Sequence, residues 1–578
     1  MKIKNLLISF LVICFMASIA AAPALAAKMG LIGKGKMANA EEIAPSINIP
    51  VLPPRGKAIG RVNPDPGYIK TPSGIPALPG ASEIWIYPRC TTEAVIATTD
   101  VGTYQGYRDA VNIQWAVDNV AVNGTVRLMV GKGKTERAFY FGEPGPNAGY
   151  IEIQTEGVKI IGNKQGSTPG KDWAESDLSN QEFQLPNGTT IKSDRATIYG
   201  GGNGYSNGVI AAFISDPYDF TVQGIRFENS GTAIYAAASG TNGITLDDNV
   251  ITNIFPSPNT NYGFLLVANA SGIIKGDTYI TNNKIIINNS NYDGVANGIL
   301  TQYAGKLHVN YNSVTGNANP MRRNYGYYLV AVDAYSEITS NEVSLNGAYY
   351  GLACGTNGAG EGKHKIVKYN RVTGNDVTMG LVLMALNSSE VKYNTVNVAL
   401  NPLNDTLPGA LKTGAFAAVL SSAKGSTIEK NNFRSTHDPN TGNQAYPYAS
   451  IGFGAFGPFG AVQGNILKDN TISGNGARAI GARQPSMFDT VIEGNNMTGF
   501  TVDPGPAAEV IGIGNAQGNI IRNNFYPASG TAPAIRLLST SSFNTVNEPT
   551  LECTRITNLG TNNCVKAGGV SCTPLVCP

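Results

Sequence analysis

The chain has 578 residues, a formal net charge of +2 and only 14% charged residues. Nucleic-acid binding needs a dense basic patch, and no run of Lys and Arg of that kind occurs, so we expect no nucleic-acid partner. Beyond the first segment no eighteen consecutive residues are apolar, so we expect no transmembrane span in the mature chain.

Residues 1–26 have the pattern of a signal peptide. Lys2 and Lys4 precede the apolar run Leu6–Ala20, and the small-residue pattern Ala24–Ala26 follows. The residue before Cys14 is not the Gly or Ala of a lipobox, so an acyl anchor is not expected. The pattern predicts an exported protein, whether extracellular, on the cell surface or periplasmic.

Residues 27–100 are expected to form a Pro-rich, extended lead-in, because ten prolines fall between positions 41 and 90. Next, Ala110, Ile113 and Val117 share one helical face, which predicts a helix over 109–120. A strand is expected at Gly124–Val130. Such a helix would cover the open apolar end of a solenoid.

One motif then recurs about every thirty residues: an aliphatic residue, two polar residues, Asn, any residue and a further apolar residue. Its ten copies are centred on Asn249, Asn283, Asn312, Asn341, Asn370, Asn394, Asn431, Asn470, Asn495 and Asn523.

The motif is explained by short strands that meet at sharp corners. Apolar residues flanking the Asn would point inwards, as strand alternation requires. The Asn would take the left-handed corner conformation, and its side chain could bond to the Asn of the next coil. With a second, Gly-led apolar strand in each unit, this predicts an all-β, single-stranded right-handed parallel β-helix over 101–550, with three short strands per coil. Helical repeats would show a 3.6-residue spacing, which is absent.

The segment Asp109–Asp118, the strand after it and the coils resemble the N-terminal cap and repeats of the pectin-lyase-like superfamily. The likeness covers roughly residues 100–550. It departs at Gly131–Lys134, where many members have a Pro-x-Gly-x-Tyr turn. The resemblance implies a parallel β-helix, and if the protein is an enzyme, a polysaccharide lyase or glycoside hydrolase. The superfamily also includes esterases, epimerases and adhesins, so activity is left open.

Catalytic chemistry is not evident in the residues. A lyase would need a base and a stabilising cation on an outer strand, but the outward positions of the Gly-led strand are uncharged: Leu300, Gln302, Tyr328, Val330, Ala353, Val382 and Met384. The only adjacent Asp pair, Asp247 and Asp248, lies at a corner and is interpreted as solvated. No cofactor or metal is evident.

Weak candidates for substrate binding are aromatic. Tyr311, Tyr369 and Tyr393 directly precede the repeat Asn at an exposed corner, where their rings could stack on sugars. Insertions at 162–187, 399–414 and 436–449 offer loop sites, and they contain Trp173, Tyr446 and Tyr448.

His308 and Glu337 lie four residues before the Asn in successive coils and are expected to be neighbours. They could form an acid–base couple or a surface ion pair. We predict the ion pair, because other coils place unrelated residues there. The position two before the Asn alternates in charge over the last coils, which predicts register-stabilising pairs.

Four of the six mature cysteines fall in a tail at 551–578, namely Cys553, Cys564, Cys572 and Cys577. In an exported chain they predict two disulfides rather than a zinc site, and the connectivity is open.

Two functions remain as hypotheses. The first is interaction with, or processing of, extracellular polysaccharide or a cell-surface glycan. The second is a non-catalytic extracellular scaffold or adhesin.

Overall fold

A computed structural model describes residues 63–572. The residues within that span that it does not describe are 100–101, 131–137, 145–147, 164–180, 205–209, 216–217, 238–242, 253, 255–260, 268–275, 289–294, 305, 320–323, 332–334, 356–363, 401–415, 438–448, 454–460, 483–486, 505–507 and 529–531.

Three long sheets of almost entirely parallel strands run along the molecule, and the central coils each contribute one strand to each sheet in turn. One full coil shows the order: Leu307–Asn310 in sheet I, Ser313–Asn317 in sheet II and Tyr325–Ala331 in sheet III, before Ser336–Thr339 returns to sheet I. The architecture is the predicted right-handed parallel β-helix.

The 18 strands of sheet I are Ile69–Lys70, Glu83–Ile86, Thr125–Leu128, Val158–Gly162, Phe220–Gln223, Gly243–Asp247, Asp277–Thr281, Leu307–Asn310, Ser336–Thr339, Lys365–Lys368, Glu390–Lys392, Thr427–Glu429, Ile466–Lys468, Val491–Glu493, Ile520–Arg522, Thr545–Glu548, Cys564–Ala567 and Val570–Ser571.

The 12 strands of sheet II are Ala138–Tyr140, Thr197–Tyr199, Arg226–Glu228, Val250–Thr252, Lys284–Asn288, Ser313–Asn317, Glu342–Asn346, Arg371–Asn375, Thr395–Leu400, Asn432–His437, Thr471–Gly476 and Phe500–Val502.

The 15 strands of sheet III are Ile151–Ile153, Asn203–Gly204, Ile210–Ser215, Thr232–Ala237, Asn261–Val267, Ala296–Ala304, Tyr325–Ala331, Tyr350–Gly355, Met379–Met384, Phe416–Ser421, Ala449–Phe453, Arg478–Ala482, Ile511–Ile513, Ile535–Leu537 and Ile556–Asn558. Smaller sheets pair Ala94–Thr99 with Gly102–Tyr107, Gln181–Gln184 with Thr190–Ser193, and join Val462–Gln463, Met487–Phe488 and Ala516–Gln517.

The interior is a continuous apolar stack. In sheet I, Val309, Ile338 and Val367 lie in register on adjacent strands, and none is more than 1% exposed. Each such column buries apolar area at every coil, which is the main source of stability in a solenoid.

A buried ladder of asparagine amides follows the corner between sheets I and II. Asn341 Nδ2 donates to Asn370 Oδ1 at 3.0 Å, and Asn312 Nδ2 donates to Asn341 Oδ1 at 3.0 Å. The same contact repeats from Asn249 to Asn524, whose Nδ2 donates to Glu548 Oε1 at 2.9 Å. The ladder matches the amide bonding expected from the repeat.

Two details of the predicted corner are wrong. The left-handed residue is the one before the ladder Asn: Tyr311, for example, has φ +60°. A left-handed residue at the bend aims its side chain outwards, so the inward Asn must be its neighbour. In the last repeat the ladder residue is accordingly Asn524, while Asn523 takes the left-handed φ of +55°. Spacing could not separate these two adjacent asparagines.

The lead-in differs from a purely extended segment. Within it, Glu83–Ile86 pairs in parallel with Thr125–Leu128, and Ile84 and Ile86 are fully buried. Proline is excluded from ladder positions, but the short run between the prolines is apolar enough to join the core.

A helix at Arg108–Asn119 packs its apolar residues into the same core. Its Asp109 carboxylate accepts backbone N–H bonds from Arg89 at 2.7 Å, Cys90 at 3.0 Å and Tyr140 at 2.9 Å. Burial raises the pKa of Asp109 to about 7. The side chain therefore ties the lead-in to the first coils.

The tail continues the coils. Ile556–Asn558 extends sheet III and Cys564–Ala567 extends sheet I. A disulfide joins Cys553 to Cys572 across a 3₁₀ turn at Cys553–Arg555. Cys564 is also disulfide-bonded, and Cys577 lies outside the described residues. Cys90 and Cys354 form no disulfide.

Candidate functional site

Four consecutive corner positions between sheets I and II carry Tyr311, Ser340, Tyr369 and Tyr393, here called the tyrosine row. The exposed fractions of the three tyrosines are 66%, 59% and 43%. Each has a left-handed backbone, with φ between +58° and +60°. This conformation directs the side chain away from the core, so the row is a surface feature repeated at the coil spacing.

The rings of Tyr369 and Tyr393 are stacked on each other. Their centroids are 5.3 Å apart and their planes differ by 5°. The distance between the ring centroids is close to the spacing of adjacent parallel strands, about 4.8 Å. The rings are therefore stacked along the solenoid axis, with their planes roughly perpendicular to it. One face of Tyr369 is therefore covered by Tyr393, and the other looks towards the coil of Ser340.

The structure does not test the other predicted binding residues. Trp173, Tyr446 and Tyr448 lie outside the described residues, as does most of the three insertions that were favoured as loop sites.

Beside the tyrosine row, the outer face of sheet I carries an aromatic and charged cluster. The rings of Tyr279 and His308 stack with centroids 4.5 Å apart. His308 and Glu337 are paired in register as predicted, with His308 Nδ1 3.5 Å from Glu337 Oε2. His308 Nε2 also lies 3.2 Å from Asp277 Oδ2.

Sequence reasoning missed Asp277 and Lys306 in this cluster. Lys306 Nζ lies 3.4 Å from Asp277 Oδ2. Burial by itself raises the pKa of Asp277, but hydrogen bonds from His308 and Lys306 outweigh it and hold the pKa below its ordinary value. Asp277 lies two positions before Tyr279, and Lys306 lies two positions before His308. The alternation of strand faces was therefore a signal that could have found them.

The next coils carry a ladder of ion pairs. Lys368 Nζ lies 2.6 Å from Glu390 Oε2, and Lys392 Nζ lies 3.3 Å from Glu429 Oε2. The hydrogen bond from Lys368 lowers the pKa of Glu390 below its ordinary value. The alternation predicted for the position two before the Asn appears as contacts of Lys392 with Glu429 and of Arg522 with Glu493 at 3.0 Å. The partner of Lys368 instead lies four positions before its Asn.

Four lysines on the outer face of this part of sheet I contact carboxylates. Lys306, Lys368, Lys392 and Lys430 each have a side-chain oxygen of Asp or Glu within 4 Å. The surface from Asp277 to Lys430, together with the tyrosine row, is called the sheet I face. Its charges are largely neutralised within it.

The outer face of sheet III is different. The residues predicted to point outwards do point away from the central core, but five of them are buried in a second apolar cluster: Leu300, Tyr328, Ala353, Val382 and Met384. The uncharged strand is therefore not an accessible surface. The side chains of Gln302 and Val330 are not among those described.

Two further sites can be assessed in the described part of the chain. No group of three or more His, Cys, Asp or Glu side chains within it could hold a metal ion. Asp247 accepts hydrogen bonds from Gln223 at 2.8 Å and Thr281 at 2.6 Å, while Asp248 pairs with Arg195 at 3.2 Å. The Asp pair is thus engaged in structural contacts.

No described helix has the length and hydropathy of a membrane span.

No protein-family model matches the chain, and no curated protein matches its sequence. Solved structures similar to it include a tailspike protein double mutant of E. coli bacteriophage HK620, with 13% identity and a TM-score of 0.44, covering 87% of this chain and 80% of that one. A mannuronan C-5 epimerase A-module of Azotobacter vinelandii has 11% identity and a TM-score of 0.29, covering 80% and 94%.

Tailspike protein 3 of bacteriophage CBA120 has 11% identity and a TM-score of 0.37; the match covers 80% of this chain but only 59% of the tailspike, less than two thirds of its length. Likenesses of this size concern the coil architecture alone. The identification of the fold as a parallel β-helix rests on the three parallel sheets of this chain itself.

Proposed function

We propose that the protein binds an extracellular polysaccharide along the sheet I face. The observation that carries the proposal is the tyrosine row, in which exposed aromatic rings recur at one corner of successive coils. Exposed aromatic faces pack well against the C–H surfaces of sugar rings, and their phenol groups can bond to hydroxyls. A row with a fixed spacing suits a polymer better than a single small ligand.

The charge balance of this face favours a neutral polymer. A polyanion would need unpaired cations, but Lys306, Lys368, Lys392 and Lys430 are matched by carboxylates. Displacing those carboxylates would give up existing ion pairs. We therefore expect neutral glycans to bind better than polyuronates, with little dependence on salt.

Affinity electrophoresis in gels containing soluble β-glucan, galactomannan, xylan, dextran or polygalacturonate tests the proposal. At least one neutral polymer should retard the protein, and Tyr369→Ala combined with Tyr393→Ala should weaken binding roughly tenfold, since each aromatic contact contributes about 0.5–1.5 kcal/mol. Phe543→Ala is the matched control, because Phe543 is an exposed aromatic residue (56%) at a left-handed corner far along the solenoid.

The same incubations, scored for unsaturated or reducing-end products, separate binding from turnover. Failure of every polymer to bind would overturn the proposal and leave the scaffold or adhesin hypothesis. Binding of polygalacturonate alone would overturn the expected preference for neutral polymers.

A further inference from the structure

We infer that Tyr311 and Tyr369 are the two walls of a slot over Ser340, and that this slot takes a single pyranose ring of the bound polymer. The inference rests on the proposed function and adds to it a defined subsite with a defined shape. It depends on three observations: the register of the corners, the orientation of the Tyr369 ring together with the matching φ of Tyr311, and the polar groups on both sides.

The register places the three residues on consecutive coils. Asn310, Thr339 and Lys368 are paired across adjacent strands of sheet I, and each directly precedes one of the three corner residues. The backbone N–H of Tyr311 donates to Thr339 O at 3.1 Å, and that of Ser340 donates to Lys368 O at 3.0 Å. Two coil spacings therefore separate Tyr311 from Tyr369, about 9.6 Å.

Ring orientation turns this separation into a slot. The stacking of Tyr393 on Tyr369 sets the Tyr369 ring across the solenoid axis, with one face towards Ser340. Tyr311 has nearly the same φ, +60° against +58°, so its Cα–Cβ bond leaves the corner in the same direction. Ser340, whose φ is +56°, is the one small side chain in the row, so the space between the two tyrosines is left open.

The width of the slot determines which kind of ring can fill it. Carbon atoms in contact are about 3.5–4.0 Å apart, so a flat ring held between two aromatic faces needs a gap of about 7–8 Å. A chair-shaped pyranose is thicker, because its axial C–H bonds stand out on both sides, and it fills the wider gap. A sugar ring therefore fits this slot better than a planar aromatic group.

Hydrogen-bonding groups lie where the rim of such a ring would be. In a stacked pyranose the equatorial hydroxyls point sideways, away from the aromatic faces. On the sheet I side is Thr339, whose hydroxyl donates to Asn310 Oδ1 at 2.8 Å and keeps an acceptor lone pair. On the sheet II side, Glu342 and Arg371 are exposed and paired in register.

Substitution at Ser340 tests the slot without removing any wall. Ser340→Tyr should fill it, and the backbone there tolerates the change, because three other coils hold Tyr at the same φ. Ser340→Ala is the matched control that leaves the slot open. With the neutral polymer that binds best, we expect S340Y to weaken binding at least tenfold and S340A to stay within twofold of the unmodified protein.

A double variant tests whether Tyr311 and Ser340 act through the same slot. If one slot is at work, Tyr311→Ala combined with Ser340→Tyr should bind no more weakly than Ser340→Tyr alone. Should S340Y lower the melting temperature, Tyr369→Phe and Tyr369→Ala give a second measurement: Phe keeps the wall and should bind normally, whereas Ala should not.

The outcomes are distinct. Normal binding by S340Y, with binding still lost in the Tyr369→Ala/Tyr393→Ala variant, would overturn the slot and leave the proposed function standing. An equal loss in S340A and S340Y would also overturn it, because the serine hydroxyl and not the open space would then matter. Absence of binding in the unmodified protein would overturn both proposals.

Discussion

Sheets I and III belong to the same coils and share one core, yet their outer faces are opposites. In one coil, Ile366 points outwards from sheet I between Glu337 and Glu390 and is partly exposed. In the same coil, Val382 points outwards from sheet III and is only 4% exposed, within a cluster of large apolar and aromatic side chains.

The difference shows what a repeat does and does not constrain. Every inner position must fill the same apolar stack, so coils resemble each other inside. Outer positions carry no such requirement, and each face can be adapted separately, one for burial and one for contact with solvent or a ligand. We therefore expect a ligand site on the sheet I face, which is exposed, and not on the outer face of sheet III, which is buried.

The largest expected effect comes from placing a charge on each face. Val382→Lys should lower the free energy of unfolding by about 3–5 kcal/mol, because the ammonium would be buried without a partner. Ile366→Lys is the matched change in the same coil. It should be neutral or slightly stabilising, since the new cation would lie between Glu337 and Glu390. Guanidinium denaturation measures both, and equal effects would show that the two faces do not differ in burial.

The corner shared by sheets I and II shows the same contrast within one turn of the chain, because its outer side is exposed and its inner side is buried. Asn341→Leu should destabilise the protein by roughly 3 kcal/mol, because buried hydrogen bonds on both sides would be lost: the one from Asn312 Nδ2 to Asn341 Oδ1 at 3.0 Å and the one from Asn341 Nδ2 to Val309 O at 2.7 Å. Asn397→Leu, at an exposed position of sheet II, should change stability by less than about 0.5 kcal/mol. A small effect at Asn341 would mean that the ladder contributes little.

A smaller effect is expected at His308 and Glu337. Replacing either with Ala should change the free energy of unfolding by less than about 1 kcal/mol, as for ion pairs at a protein surface, since the Glu337 side chain is 47% exposed even though that of His308 is only 13% exposed. Polysaccharide binding should stay within twofold. Other coils fill these positions with Tyr279, Ile366 or Glu390, which indicates a tolerant surface. Loss of binding or turnover in His308→Ala, with circular dichroism and melting unchanged, would make Asp277, His308 and Glu337 the leading acid–base candidates.

The smallest effect concerns pH. Because Lys368 holds the pKa of Glu390 below its ordinary value, this pair stabilises the fold fully above that value, and the contribution is lost as pH falls through the lowered pKa. At about one-third exposure it should amount to a few tenths of a kcal/mol. Carboxylate titration by NMR should show the Glu390 pKa rising in Lys368→Met but not in Lys159→Met, which changes an exposed lysine elsewhere on sheet I. An unchanged pKa in Lys368→Met would contradict the pairing.

The sequence was informative about the inside of the molecule. The spacing of Asn312, Asn341 and Asn370, with apolar residues around each, predicted strands, corners and the amide ladder, because inward positions repeat under the same packing constraint at every coil. The same register predicted that His308 would face Glu337. It also placed Tyr311, Tyr369 and Tyr393 on the surface, since a corner position that tolerates Tyr, Asp and Lys cannot be buried.

What the tertiary structure alone decided lies outside the core. Burial of the sheet III face around Val382 depends on packing that no single coil encodes. The contact of Asp277 with His308, the stacking of Tyr393 on Tyr369 and the gap over Ser340 each join residues some twenty to thirty positions apart. A local pattern determines which way a side chain points, whereas the neighbours it meets are set by the stacking of coils, and only the folded chain brings those coils together.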